Sequence, residues 1–452
     1  MATHKQLFGT DGVRGVPGQP PLDDRTLRSI GRALGEHVRA GGEPARILIG
    51  MDTRESGPAI AMCLADGVRS TGNAPVFAGV LTTPGVACLV REMGFAAGLV
   101  VSASHNPYTD NGVKLIAGTG MKFPDQAEAQ IEERIFAFRE SEEASVPWTS
   151  AGLKKTPALA ERYLDFLRAR VIPGASLAGM KIVLDCANGA ASALGPELFR
   201  SLGAEVIAIH NAPDGRNINA GCGSLHPESL MAKVVETGAA LGVAFDGDAD
   251  RAIFSSASGR RVDGDGILLA MARHMKAAGT LKGSAVVGTT MANLGLEKAL
   301  AKEGLALART PVGDRYVLEE MLRTDANLGG EQSGHIIFTD DATTGDGLLT
   351  ALKIASLVAL RGPLDKLIDG LKVFPQTIVN VRVREKPALD SIPAVAGALA
   401  EAERALEGRG RINLRYSGTE PLARVMVEAE TEVEVERWSA RVAAAVRAAL
   451  GA

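Results

Sequence analysis

The 452-residue chain is 46% hydrophobic and 23% charged with a formal net charge of −4, and at roughly 150 residues per domain its length predicts about three domains. The weak negative charge, with no basic run interleaved with aromatics, excludes a general nucleic-acid-binding surface. Cys63, Cys88, Cys186 and Cys222 lie far apart without a CxxC pair, and neither a signal-like start nor an apolar run near the roughly 18 residues of a membrane span is present, so the expectation is a reduced, cytoplasmic protein with no membrane partner.

Strand-like runs then recur in one order. The first set is 45–50, 74–78 and 96–101; the second is 181–184, 204–209 and 240–245; the third is 284–287, 305–308 and 326–328. Helical stretches such as 59–70 and 193–202 fit between them, which favours parallel α/β units with helices covering each sheet. From about residue 370 the pattern changes to an alternating strand at 377–383, an Ala/Glu-rich helix at 394–406, a strand leading to Arg415, another at 423–427 and an amphipathic helix at 433–450. The predicted fold class is α/β: three tandem mixed α/β domains with related topology plus a smaller C-terminal α+β domain, around a central cleft. The boundaries fall at 1–155, 156–258, 259–369 and 370–452.

The third strand of each set runs into an unusual polar loop: SASHNP, DGDADR and GEQSGH. Ligands of open α/β sheets bind beyond the carboxyl ends of strands, so three such loops in register read as three walls of one site. In DGDADR, Asp246, Asp248 and Asp250 alternate within five residues, an arrangement that repulsion makes costly unless a cation neutralises it. Hard carboxylate oxygens suit Mg²⁺ or Ca²⁺. An EF-hand loop is ruled out by Arg251 at its glycine position and Ala257 at its glutamate position. Three carboxylates with room for another oxygen suit one Mg²⁺ acting on a phosphate.

SASHNP alone fits a turn, since Asn-Pro and Asp110-Asn111-Gly112 are turn signals and Ser104 can bond local backbone. In RYSGTEP, Arg415, Ser417, Gly418 and Thr419, with Arg424 beyond, have the make-up of an anion cradle, although a hairpin with surface arginines has the same composition. GEQSGH offers Glu331 and Ser333 to the hydroxyls of a sugar-like ligand, with His335 nearby. Arg14, in the Gly-rich FGTDGVRG, could reach a phosphoryl group.

Together these loops resemble the α-D-phosphohexomutases, a four-domain family of phosphosugar mutases, over nearly the whole chain. The resemblance identifies SASHNP as the phosphoserine loop, DGDADR as the metal loop, GEQSGH as the sugar-recognition loop and RYSGTEP as the phosphate loop. Tyr416 departs from the family pattern, which usually has proline there. FGTDGVRG, PDGRNINAGCGSLHPESL (213–230), VGDRYV (312–317), the Gln of GEQSGH and TTGDGLLTAL (343–352) point to members acting on glucosamine phosphates. The resemblance implies interconversion of glucosamine 6-phosphate and glucosamine 1-phosphate through a glucosamine 1,6-bisphosphate intermediate, feeding UDP-N-acetylglucosamine and peptidoglycan synthesis. Phosphoserine at Ser104 would donate, and Ser104, Asp246, Asp248 and Asp250 would hold one Mg²⁺ per chain. Lys114, His105, Arg251 and Arg14 would transfer protons or stabilise charge, with Lys114 favoured as general acid/base. Glucose or glucosamine 1,6-bisphosphate as an activator and a homodimeric state complete the expectation. Activity on glucose or mannose phosphates, a sugar phosphatase and a non-catalytic sugar-phosphate sensor are the rival readings.

Overall fold

Each tandem set builds its own mixed sheet in the computed structural model, which describes residues 6–9, 11–39, 44–140, 152–283, 285–417 and 420–451. The first set comprises β1 (Val13–Gly15), α1 (Asp24–Val38), β2 (Arg46–Met51), α2 (Gly57–Ser70), β3 (Ala74–Val80), α3 (Thr83–Glu92), β4 (Ala97–Val101), β5 (Asn111–Ala117) and α4 (Asp125–Glu140). Its sheet has the order β1-β5-β4-β2-β3, with β2, β3 and β4 parallel and β5 antiparallel to β4. Ala97–Val101 is apolar throughout because β4 is buried along its whole length. Helix α1 starts where Asp23 accepts from the Thr26 N–H at 3.1 Å, with Asp24 in the positive first turn.

Helices α1 and α2 meet backbone to backbone. A Cβ on Gly31 would stand 2.1 Å from the Leu64 carbonyl oxygen, and one on Gly67 would stand 2.1 Å from that of Arg28. Reciprocal glycines therefore set the spacing of this helix pair.

The second set repeats the plan with α5 (Ala158–Arg168), β6 (Lys181–Asp185), α6 (Ala191–Ser201), β7 (Glu205–Ile209), α7 (Glu228–Thr237), β8 (Leu241–Phe245), β9 (Ala252–Ser256) and β10 (Arg261–Val262). The order is β10-β9-β8-β6-β7, again three parallel strands followed by an antiparallel one. The third has α8 (Gly264–Ala277), β11 (Ala285–Thr289), α9 (Leu294–Lys302), β12 (Ala306–Thr310), α10 (Asp314–Thr324), β13 (Leu328–Gly330), β14 (Ile336–Phe338), α11 (Gly347–Arg361) and α12 (Leu364–Leu367). Here β11 runs parallel to β13, and β14 returns antiparallel.

The predicted parallel strands lie within about two residues of those observed, but each polar loop leads into an antiparallel return strand that the pattern did not announce. SASHNP, DGDADR and GEQSGH are therefore the tips of antiparallel pairs, closed by Val101↔Val113, Phe245↔Ala252 and Gly330↔Ile336.

Apart from residues 290–309 of the third set, these sets make one compact unit, Met1–Thr289 with Thr310–Asp369; Thr290–Arg309 and Gly370–Ala452 make a second. The second unit contains α9, nearly all of β12, and β15 (Gln376–Arg382), α13 (Pro393–Leu406), β16 (Gly410–Tyr416), β17 (Leu422–Ala429) and α14 (Glu432–Leu450). Its sheet β15-β17-β16 is antiparallel, and Val425 and Val427 pack with Leu406, Trp438 and Val442 in its core. Glu428 explains why the 290–309 segment joins it. This fully buried carboxylate accepts from Arg411 Nε and from the Leu294 N–H at 2.9 Å, while Arg411 also donates to the Thr290 and Ala292 carbonyls.

The helix contact gives a direct test. Gly67→Ala should destabilise the first unit by about 1–3 kcal/mol through overpacking. Gly397→Ala on α13, where an added Cβ meets nothing within 4 Å, should instead stabilise its helix by up to about 1 kcal/mol. Denaturant unfolding followed with a probe in each unit measures both.

Candidate active site

The chain leaves β4 through Ser102 and Ala103 and reaches Ser104 in the left-handed region, at φ 52°. A β-hydroxyl residue rarely adopts this backbone, and holding it costs roughly 1–3 kcal/mol unless the surroundings over-determine it. They do. Ser102 Oγ accepts from the Ser104 N–H at 2.9 Å and donates to Asp52 at 2.6 Å. Arg54, buried and paired with Asp52 at 2.9 Å, donates to the carbonyls of Ser104 (3.0 Å), Asn106 (2.8 Å), Asp110 (3.0 Å) and Pro107. Asn219, from the second set, donates to the Ser104 and Asn106 carbonyls at 2.9 and 3.1 Å.

The DGDADR tip closes on this loop. Ser104 Oγ donates to Asp246 Oδ2 at 2.6 Å. A Cβ on Gly247 would stand 2.5 Å from the Ser104 carbonyl oxygen, so only glycine allows the approach. Thr83 donates its hydroxyl to Asp248 at 2.5 Å and its N–H to the Asp248 carbonyl at 3.1 Å. Asp246, Asp248 and Asp250 each offer a carboxylate oxygen, all within 4.8 Å of one another, so this triad can hold a metal ion. Two observations fit a hard divalent cation. Asp248 Oδ1 and Asp250 Oδ1 are buried and accept no hydrogen bond. Burial, then the Asp250 and Asp248 charges, also push the Asp246 carboxyl well above the usual carboxylate range. An all-oxygen set with open lone pairs is what Mg²⁺ takes.

Cations ring the triad. Lys114, buried on β5, lies 2.9 Å from both Asp11 and Asp248 and 3.9 Å from Asp250. Burial pulls its ammonium down, but the three carboxylates outweigh this and hold it well above its ordinary value. Arg251 approaches Asp250 at 3.8 Å and donates to His105 Nδ1 at 3.2 Å, and the same ring nitrogen lies 3.4 Å from Ser104 Oγ. Burial, followed by the Arg251 and Arg14 charges, lowers His105, which keeps the imidazole neutral. Arg14 pairs with Asp11 at 2.7 Å and reaches Asn106 at 3.4 Å. The sequence-predicted Ser104, His105, Lys114, Arg251, Arg14 and three aspartates thus converge.

Glu331 and Ser333 sit at the β13–β14 tip. Glu331 accepts from the Gly313 N–H at 3.1 Å and from Ser333 Oγ at 3.4 Å. His335 lies 3.5 Å from Asp250 through Nδ1 and accepts from the Gly345 N–H at Nε2.

In the second unit, Arg415 and Arg424 stand opposite each other on β16 and β17. Burial and the neighbouring Arg424 charge lower Arg415. Arg424 donates to Glu420 at 2.9 Å and Ser417 at 3.4 Å, while its buried Nε has no partner. Two adjacent guanidinium groups with an unmatched donor suit an anion. Tyr416 is anchored by its hydroxyl to the Pro387 carbonyl at 2.8 Å, and Lys386 holds the Ser417 carbonyl at 2.7 Å. Gly418 and Thr419 lie outside the described residues.

Sequence reasoning missed Asp52, Arg54, Thr83, Asn219 and Lys386. Most act on backbone carbonyls, which leave no trace in composition; the adjacent Asp52-Thr53-Arg54 beyond β2 is the one local signal that could have drawn attention.

Four domain models described as phosphoglucomutase/phosphomannomutase match in order: α/β/α domains I, II and III over residues 5–142, 161–259 and 263–374, and the C-terminal domain over 378–445. A phosphoglucosamine mutase of Solibacter usitatus is 51% identical over 99% of this chain and 99% of its own. One from Deinococcus radiodurans is 48% identical over the whole of both. Among solved structures, a phosphoglucomutase/phosphomannomutase family protein from Burkholderia thailandensis superposes with a TM-score of 0.78 at 26% identity, covering 98% of this chain and 99% of that one. The Aspergillus fumigatus N-acetylphosphoglucosamine mutase, solved with GlcNAc-6P and magnesium, shares the fold with a TM-score of 0.65 at 19% identity, covering 98% and 96%. With every domain model matched in order and such relatives aligned end to end, the chain belongs to the phosphoglucomutase/phosphomannomutase family, in its phosphoglucosamine mutase branch.

Proposed function

We propose that this protein is an isomerase interconverting glucosamine 6-phosphate and glucosamine 1-phosphate, with Ser104 carrying the transferred phosphoryl group. The reading rests on one observation: a serine hydroxyl on a strained backbone lies 2.6 Å from Asp246, one of three clustered buried carboxylates of which Asp248 and Asp250 keep an oxygen open. The near-full-length phosphoglucosamine mutase relatives support the choice of sugar.

In the first half-reaction a sugar hydroxyl oxygen bonds to phosphorus as the bond to Ser104 Oγ breaks, giving glucosamine 1,6-bisphosphate; the hydroxyl proton leaves to a base and Ser104 Oγ takes up a proton. In the second, Ser104 Oγ bonds to the other phosphorus as its bond to the sugar oxygen breaks; the Ser104 proton passes to the base and the freed sugar oxygen takes up a proton. Asp246, Asp248 and Asp250, with an oxygen of the Ser104 phosphate, would hold Mg²⁺, which supplies charge neutralisation at the transferring group. Lys114 is assigned as general acid/base; its ammonium lies between Asp11 and Asp248, and Mg²⁺ on the triad would neutralise part of the carboxylate charge that keeps it protonated. Arg251 and Arg14 are assigned to charge stabilisation, and neutral His105 orders Arg251 beside Ser104. Glu331 and Ser333 are assigned to sugar hydroxyls, and Arg415, Ser417, Gly418, Thr419 and Arg424 to the non-reacting phosphate. Among the described residues no helix is long and apolar enough to cross a membrane. A cytoplasmic homodimer with the domain limits 1–155, 156–258, 259–369 and 370–452, activated by a hexose 1,6-bisphosphate and supplying UDP-N-acetylglucosamine for peptidoglycan, completes the proposal.

Ser104→Ala should abolish turnover of glucosamine 6-phosphate, while glucose and mannose phosphates remain poor substrates of the parent enzyme. Intact-mass measurement should find phosphate on part of the parent protein and none on the variant. Full activity in the variant would remove the phosphoserine from the scheme.

Asp248→Asn should weaken Mg²⁺ binding and slow phosphoryl transfer far more than it weakens sugar-phosphate binding. Calorimetry with each ligand separates the two effects, and an EDTA-insensitive parent rate would contradict the metal assignment.

Arg424→Ala removes a charge-assisted contact of about 1.5–3 kcal/mol. It should lower kcat/KM about 10- to 100-fold for glucosamine 6-phosphate and glucosamine 1-phosphate alike, leaving Mg²⁺ affinity unchanged. A defect confined to one substrate would show that the cradle does not serve both binding orientations.

A further inference from the structure

Three chemically different donors meet in the second set, in a cluster separate from the carboxylate triad. Asp185 ends β6, His210 directly follows β7, and Cys222 lies on the connection leading to α7. Their donor atoms all fall within 4.8 Å of one another, with Asp185 and Cys222 buried and the His210 side chain 33% exposed. The spacing 185-210-222 matches no metal-binding motif, so only folding reveals the cluster.

The geometry between two of the donors is informative. His210 Nδ1 lies 3.1 Å from Asp185 Oδ2, yet this buried nitrogen makes no hydrogen bond. The two atoms are close without being aimed at each other. Two ligands bound at roughly 2.0–2.2 Å to one tetrahedral ion stand roughly 3–3.5 Å apart, each pointing at the ion and not at its neighbour. The outer contacts are also those of a built site. The Ala187 and Gly223 N–H groups fix the two Asp185 oxygens at 2.9 Å each, and Asn188 Nδ2 lies 4.0 Å from Cys222 Sγ.

We propose that Asp185, His210 and Cys222 form a second cation site that takes a transition-metal ion of the Zn²⁺ class, with a water completing the tetrahedron on the open side of His210. A thiol and an imidazole select such an ion over Mg²⁺, whereas the all-carboxylate triad favours Mg²⁺. Binding releases the Cys222 thiol proton to solvent and joins the ends of β6 and β7 to the segment carrying Asn219, whose amide grips the Ser104 carbonyl.

The test uses the full chain saturated with Mg²⁺ and titrated with Co²⁺ as a spectroscopic stand-in. A single Co²⁺ should bind with a thiolate-to-cobalt charge-transfer band that added Zn²⁺ abolishes. Cys222→Ser should lose the band. His210→Ala, which alters only a partly exposed ring, should weaken Co²⁺ binding about 100-fold or more, beyond what loss of an outer hydrogen-bond partner costs. Asp248→Asn should retain the band, separating this site from the triad and its fate from that of the mutase scheme. Absence of the band in the parent protein, its persistence in Cys222→Ser, undiminished affinity in His210→Ala or its loss in Asp248→Asn would each overturn the assignment.

Discussion

Arg54 carries five N–H bonds, and all are satisfied inside the protein: Nε on Asp52 and the others on the carbonyls of Ser104, Asn106, Pro107 and Asp110. The rest of the site depends on this one guanidinium. With Asp52 holding Ser102, and Ser102 holding the Ser104 N–H, the peptide groups on both sides of Ser104 are fixed. Removing one partner of a buried pair of this kind costs about 3–5 kcal/mol, because the other charge is left without compensation. That margin exceeds the strain of the left-handed serine, so the backbone stays where the hydroxyl meets Asp246.

Around this mount the charges alternate across all three sheets of the first unit. Lys114 links Asp11 to Asp248, Lys122 links Asp11 to Asp314, and His335 lies between Asp314 and Asp250. Each of these three side chains lies against carboxylates from two different segments, and both lysines carry full charge into the network. Burial alone would push the Asp11 and Asp314 carboxyls up, yet the surrounding cations hold both below the ordinary range. Such a network satisfies buried charge only as a whole, which ties the SASHNP, DGDADR and GEQSGH tips into one electrostatic unit.

The loops were legible in the sequence because they break sharply from apolar strands: three aspartates after Gly242–Phe245 have no packing role to play. The parallel strands were legible for the converse reason, as buried runs with little polar interruption. The return strands were not. Three-residue β14 is too short for alternation to register, and β5 carries Asn111 and Lys114 among its apolar residues. Arg54 and Asn219 were hidden because their partners are peptide oxygens, and the Lys122–Asp314 link because its two ends lie 192 positions apart. Thr290–Arg309 belongs to the third set by its sheet, where β12 lies beside β11, and nothing local signals that the Leu294 N–H donates to Glu428 on β17.

Because Arg54 and Asn219 grip main-chain oxygens, the serine loop's course does not depend on the side chains it displays. Every residue type has a carbonyl to offer, so exposed members of the loop such as Pro107 and Thr109 are open to substitution over evolutionary time without the mount being lost. Position 54 has no such latitude. Lysine has only three donors, no planar fork and no Nε to meet Asp52, and it could not reach four separate carbonyls at once. The display surface of the loop can therefore drift while its grip is frozen, a division of mutational freedom set by which atoms make the contacts.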